Sequence, residues 1–215
     1  YAGLLAQSVS RVSGIPYVVT EHSSYLTRKL YPLRVMRRAA RCFSDAAGFA
    51  VVSKWLGRQL EEIMGTEASR WRWIPNVVDP ELESLPISRR VAEPFTFLTI
   101  GDLIPIKDQH TLLRGFAEGG AALADCHLRI AGDGAEEGAL RALATKLGVS
   151  DRVEFLGRIS RDRVAQELDH CHCFVLTSRM ETFGVVLIEA LSRGRPVITT
   201  ECGGPQDVIG ESNGR

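Results

Sequence analysis

Short apolar, β-branched runs recur along the chain, each closed by a turn and followed by a stretch of helix length. They cover residues 17–20, 49–52, 97–100, 128–131, 153–156, 174–176 and 197–199. Between them apolar positions fall at helical spacing, as over residues 55–64, where Ser53 is a predicted N-cap, and over 137–147. Strand and helix in alternation predict an α/β protein with parallel sheets wound on both faces. Residues 79–94 break the rhythm, because Pro80, Pro86 and Pro94 interrupt a charged stretch without periodicity. This is the predicted linker, with a boundary near residue 93 that leaves one unit over residues 1–93 and another over 94–215.

Charge supports that division. Residues 1–92 hold 13 Lys/Arg and 8 Asp/Glu, giving +5, while residues 93–215 hold 13 and 18, giving −5. No apolar run approaches the roughly 18 residues of a membrane span, and no signal-peptide pattern opens the chain. The chain opens on Tyr1 and stops at Arg215 in a turn-like stretch, so a piece cut at both ends is expected. Five cysteines, odd in number and without a disulfide framework, fit a reducing cytoplasm. His170, Cys171, His172 and Cys173 imitate a metal cluster, but alternating residues on a strand face opposite ways. A strand edge with buried thiols is the expected role.

The residues just after each strand run carry more information. Glu21 and His22 come after the first and Ser53 after the second; later come Gly101-Asp102, Gly132-Asp133-Gly134, Gly157-Arg158, residues 178–181 and residues 201–204. Ligands of open α/β sheets bind outside the carboxyl ends of strands. Turn chemistry alone accounts for the glycines and caps, but not for Glu181, Lys107 or His22.

Residues 180–190 are the densest stretch. A helix is predicted to start near Gly184, with an apolar run broken by Glu189. A carboxylate there is costly to bury without a partner. The unpaired N–H groups at the helix start suit a phosphate, and Gly184 lets it approach. Glu189, a turn deeper, suits neutral hydroxyls such as those of a ribose, and Glu181 lies where a second sugar would sit.

Glu181 and Glu189, with Phe183-Gly184 between them and Ala190 after, resemble the signature of retaining glycosyltransferases of family four. The resemblance extends over nearly the whole chain. Residues 16–22, ending on His22, resemble that family's N-domain strand; 74–79 its interdomain motif; and 101–107 its phosphate loop. Residues 132–134, 155–157 and 194–197 follow in family order. The resemblance implies the GT-B fold, two facing Rossmann-like domains with the first incomplete. It also implies transfer of a sugar from a nucleotide-diphosphate sugar to an acceptor hydroxyl with retention of configuration, as in cell-envelope polysaccharide or glycolipid synthesis. By that resemblance, Glu181 binds the donor sugar and Glu189 the ribose. Lys107, with backbone of Phe183, Gly184 and Val185, neutralises the diphosphate. Ile159 contacts the base, and His22 faces the transferred sugar. No metal or other cofactor is expected, and the acceptor is expected to be a glycan or a lipid-linked molecule.

Asp102 stands where many relatives carry a second diphosphate cation, an arginine. That departure keeps a non-catalytic sugar-nucleotide-binding module in view, beside another GT-B activity such as epimerisation. Gly132, Gly134 and Gly138 loosely imitate a dinucleotide fingerprint, but Asp133, Glu136 and Glu137 crowd negative charge where a pyrophosphate would lie. Finally, Leu33, Met36, Ala40 and Phe43 share one predicted helix face beside Arg34, Arg37, Arg38 and Arg41. Such a basic amphipathic helix suits an anionic membrane surface or acceptor, and no nucleic-acid motif accompanies it.

Overall fold

Each apolar run becomes a parallel strand, and the strands fall into two separate sheets. The computed structural model describes residues 2–86 and 93–210. The chain divides into two compact units. The first comprises the residues up to Asn76, the short segment Glu181–Gly184 and the chain from Gly203 on; the second comprises Val77–Met180 and Val185–Cys202.

In the first unit, α1 (Ala2–Ser13), β1 (Val18–Glu21), α2 (Leu33–Asp45), β2 (Gly48–Val51), α3 (Lys54–Met64) and β3 (Trp71–Trp73) build a sheet of order β1-β2-β3. Ser53 caps α3 as expected, its hydroxyl accepting from Leu56 N at 3.0 Å. Phe43 of α2 stacks on Phe49 of β2 with ring centroids 4.2 Å apart. In α2, Met36, Ala40 and Phe43 are buried as expected. Leu33, at the first helical position, is instead 65% exposed. Arg34, Arg37, Arg38 and Arg41 are all exposed. β3 has no counterpart among the predicted runs, since its three residues, Trp71-Arg72-Trp73, are too few and are broken by a charge.

The second unit holds α4 (Pro80–Ser84), β4 (Thr96–Ile100), α5 (Gln109–Glu118), β5 (His127–Ala131), α6 (Glu137–Lys146), β6 (Val153–Gly157), α7 (Arg161–His170), β7 (Cys173–Leu176), α8 (Val185–Ser192) and β8 (Val197–Thr199). Its strand order is β6-β5-β4-β7-β8, so the chain steps outward from β4 in one direction and then crosses to β7. That reversal makes the gap between the carboxyl ends of β4 and β7 a topological switch point, the place where open sheets of this kind hold ligands. Leu113, Leu128, Ile130 and Leu140 fill the core beneath α5 and α6.

The division falls after Asn76, ahead of the expected boundary near residue 93. The predicted linker is partly helical, because Asp79 caps α4 by accepting from Glu81 N at 2.9 Å and Pro80 tolerates the first turn. Residues 87–92 of that linker, and the turn-like stretch over 211–215, lie outside the described residues. Arg193, itself buried, ties α4 to the rest of the second unit. It donates to the carbonyls of Leu82 (3.2 Å), Leu85 (2.8 Å) and Pro86 (2.9 Å) and to Asp169 (2.8 Å). The stretch around His170 is used structurally. The Thr96 amide donates to His172 Nδ1 at 3.0 Å, and burial pushes the Cys171 thiol up to about 12.

Candidate functional site

The two loops that border the switch point are bonded to each other. After β4, Leu103 N donates to Asp133 O at 2.8 Å and Glu136 N to Leu103 O at 3.0 Å, pressing this loop onto the turn after β5. A Cβ on Gly132 would lie 1.9 Å from the Gly101 carbonyl, so only glycine permits the approach. After β7, the Thr177 hydroxyl donates to the carbonyl of Asp108 at 3.1 Å, and Arg179 N donates to Ile106 O at 2.8 Å. Arg179 Nε also meets Asp108 Oδ2 at 2.9 Å and holds that carboxyl below its usual range. Lys107 sits inside this stitching, half-buried, with its Cε folded back toward Gly101. Asp102 is exposed, and its carbonyl accepts from Gln109 Nε2 at 3.1 Å.

The acidic residues beyond Gly134 are held by partners of their own. Glu136 lies 3.0 Å from His110, and Glu137 lies 2.8 Å from Arg141.

Gly184, with φ of +87°, turns the chain into α8, which begins at Val185. Val185 is partly exposed at the helix start, whereas Leu187 and Ala190 are buried. Glu189, on the second turn, is buried beside them, as the broken apolar pattern predicts. Burial raises its carboxyl above the usual range; Arg161 opposes that shift and Asp79 adds to it. Arg161, the first residue of α7, places a guanidinium nitrogen 2.6 Å from Asp79 Oδ2 and 3.8 Å from Glu189 Oε1. Ile159 is half-buried two residues earlier, in the loop leaving β6. The sequence reading missed Arg161. Its only local signal is a cation opening the helix after Ile159.

His22 and Glu181 belong to the first unit. His22 is exposed just past β1, and its backbone carbonyl accepts from the Thr182 hydroxyl at 2.8 Å. Glu21, before it, accepts from the Ser23 amide at 2.7 Å and the Ser23 hydroxyl at 2.6 Å, tightening the turn. Glu181 is half-buried and pairs with Gly203 as a parallel bridge, its carbonyl accepting from Gly204 N at 2.7 Å. Phe183 is buried, so it offers a ligand backbone more than side chain. Thus His22 and residues 181–184 come together in one unit, and Lys107, Ile159, Val185 and Glu189 lie in the other.

Two family models match the chain: glycosyl transferases group 1 over residues 83–214 and glycosyltransferase family 4 over residues 1–82. The lipopolysaccharide core biosynthesis glycosyltransferase LpsE of Rhizobium meliloti is 38% identical over 109 residues, 51% of this chain and 30% of that protein. A phosphatidylinositol N-acetylglucosaminyltransferase component of Arabidopsis thaliana is 25% identical over 200 residues, 93% of this chain and 45% of that one. The chain therefore spans less than half the length of either relative. Among solved structures, Anabaena HepE in complex with UDP superposes with a TM-score of 0.85 at 24% identity, over 98% of this chain and 60% of that chain.

Proposed function

The chain belongs to the glycosyl transferases group 1 family and has the GT-B fold class, and on that premise we propose that it transfers a sugar from a nucleotide-diphosphate donor to an acceptor hydroxyl with retention. The observation that carries this reading is the buried Glu189 on α8, the helix that follows β7 at the switch point between β4 and β7. In this reading Glu189 accepts from the ribose hydroxyls and Ile159 offers backbone to the base. As the sugar leaves, negative charge grows on the diphosphate. Lys107 and the unpaired N–H groups at the start of α8 neutralise it, so no metal is required. Glu181 holds the sugar, and His22 faces it near the attacking hydroxyl. The acceptor oxygen attacks from the face the diphosphate vacates, its proton passing to the departing phosphate oxygen, with no protein nucleophile.

Relatives named for lipopolysaccharide and phosphatidylinositol substrates support an acceptor on a glycan or lipid. The exposed arginines of α2 support peripheral contact with an anionic membrane at its cytoplasmic face. Among the described residues no helix is long and apolar enough to cross a membrane.

The test is a thermal-shift screen of UDP-, GDP- and ADP-sugars, because a ligand bound only to the native state raises the melting temperature. Any stabilising donor is then assayed for turnover with a panel of acceptors. Stabilisation with turnover supports transfer. Stabilisation without turnover on any acceptor reduces the protein to a binding module, and no stabilisation overturns the reading.

A further inference from the structure

Among the described residues, the carboxylate oxygens of Glu189 accept no hydrogen bond, although the side chain is only 8% exposed. A buried carboxylate with open acceptors normally neutralises itself by taking a proton. The nearest cation is Arg161, and its placement is unequal. It makes a direct contact with Asp79 at 2.6 Å and stands off from Glu189 at 3.8 Å. Asp79 is itself fixed, since its other oxygen caps α4 and Arg193 holds the far end of that helix. All of these residues belong to the second unit.

We propose that Arg161, anchored by Asp79, is a positioning residue that presents the Glu189 carboxylate to the hydroxyls of a donor nucleoside. The proposal rests on the nucleotide-sugar reading above. The distances explain why both partners are needed. A guanidinium bonded directly to Glu189 would occupy the oxygens that a ribose must reach. Without a guanidinium, burial would favour the protonated acid, which has lost acceptor capacity. Held a little beyond hydrogen-bond range, Arg161 stabilises the charge and leaves the acceptors open. The charged groups facing Glu189 are Arg161 from α7 and Asp79 from the segment before α4; Arg193, just past the end of α8, is committed to Asp169 and the α4 carbonyls.

The two partners shift the Glu189 carboxyl in opposite directions, so their removal leaves opposite signatures. Arg161→Gln raises the pH at which nucleotide binding is lost on acidification. Asp79→Asn lowers that pH but weakens binding across the range, because the released guanidinium closes on Glu189. The experiment is calorimetric titration with UDP, GDP and ADP and their 2′,3′-dideoxy counterparts, from about pH 5.5 to 8.5. The parent should favour the ribonucleotide about tenfold, the scale of one lost charge-assisted hydrogen bond. Arg161→Gln should lose that preference at a higher pH than the parent does, and Arg161→Lys should keep most of it. Because Arg161 is 62% exposed, these variants should fold, which melting curves check. An Arg161→Gln protein with the parent's pH profile and ribose preference overturns the proposal. Binding of all nucleotides without ribose preference in the parent also overturns it while sparing the donor-site reading. No binding of any nucleotide removes both.

Discussion

The Thr182 hydroxyl donates to the backbone carbonyl of His22 at 2.8 Å, joining positions 160 residues apart. The bond seats the segment carrying Glu181 against the end of β1, so the two residues assigned to the transferred sugar share one support. His22→Ala should lower kcat by about 10- to 100-fold, the scale of a mispositioned reacting group, with donor affinity nearly unchanged. Thr182→Val keeps the shape and removes the donor, and should lower kcat in the same direction by less. Steady-state kinetics beside calorimetry separates the two quantities. Turnover by His22→Ala at the parent's rate would remove His22 from the transfer step.

Glu189→Gln sets binding against stability. Nucleotide-sugar affinity should fall by about 1–3 kcal/mol, as for a lost charge-assisted hydrogen bond. Stability should move the other way at neutral pH. Burial raises the folded-state carboxyl above its unfolded value, so its favourable contribution is present below the unfolded pKa and is lost as pH rises through the folded one. The Gln variant, which has no charge to bury, should melt higher than the parent near pH 7, and the gap should close on acidification toward the ordinary carboxylate range. A lower melting temperature across the whole range would contradict the buried-charge account.

Arg193 is almost wholly buried and holds both Asp169 and the end of α4. Arg193→Met should cost about 3–5 kcal/mol, because Asp169 loses the guanidinium bonded to it inside the protein. Replacing both, as Arg193→Met with Asp169→Leu, should recover part of that loss. Denaturant midpoints read both effects. A single-variant loss below about 1 kcal/mol would show that the pair is not buried in solution.

The exposed arginines of α2 give a separate test. Co-sedimentation with anionic vesicles should exceed that with neutral vesicles and weaken with salt. It should fall when Arg34, Arg37, Arg38 and Arg41 are all changed to Gln, at roughly 1 kcal/mol per arginine close to the lipid. Equal sedimentation of parent and variant would leave these residues as a solvated face.

Much of this protein is written locally in its sequence. Seven apolar runs set seven strands, most continuously in β7, which is buried along its whole length as a parallel strand covered on both faces demands. Ser53 capped α3, Gly184 preceded α8, and the break at Glu189 marked a buried carboxylate, all through interactions within a few residues. The strand order was not local. Nothing in β7 states that it pairs with β4 on the side away from β5, yet that pairing creates the switch point. β3 escaped because an exposed three-residue edge is specified by its neighbour β2 and not by its own apolar content. The predicted linker hid α4, whose order depends on Arg193 more than 100 residues later. The neighbourhood of Glu189 was decided in the same way. The contacts among Asp79, Arg161 and Glu189 arise from the packing of α4, α7 and α8, and the range at which a charge is held is a property of that packing alone.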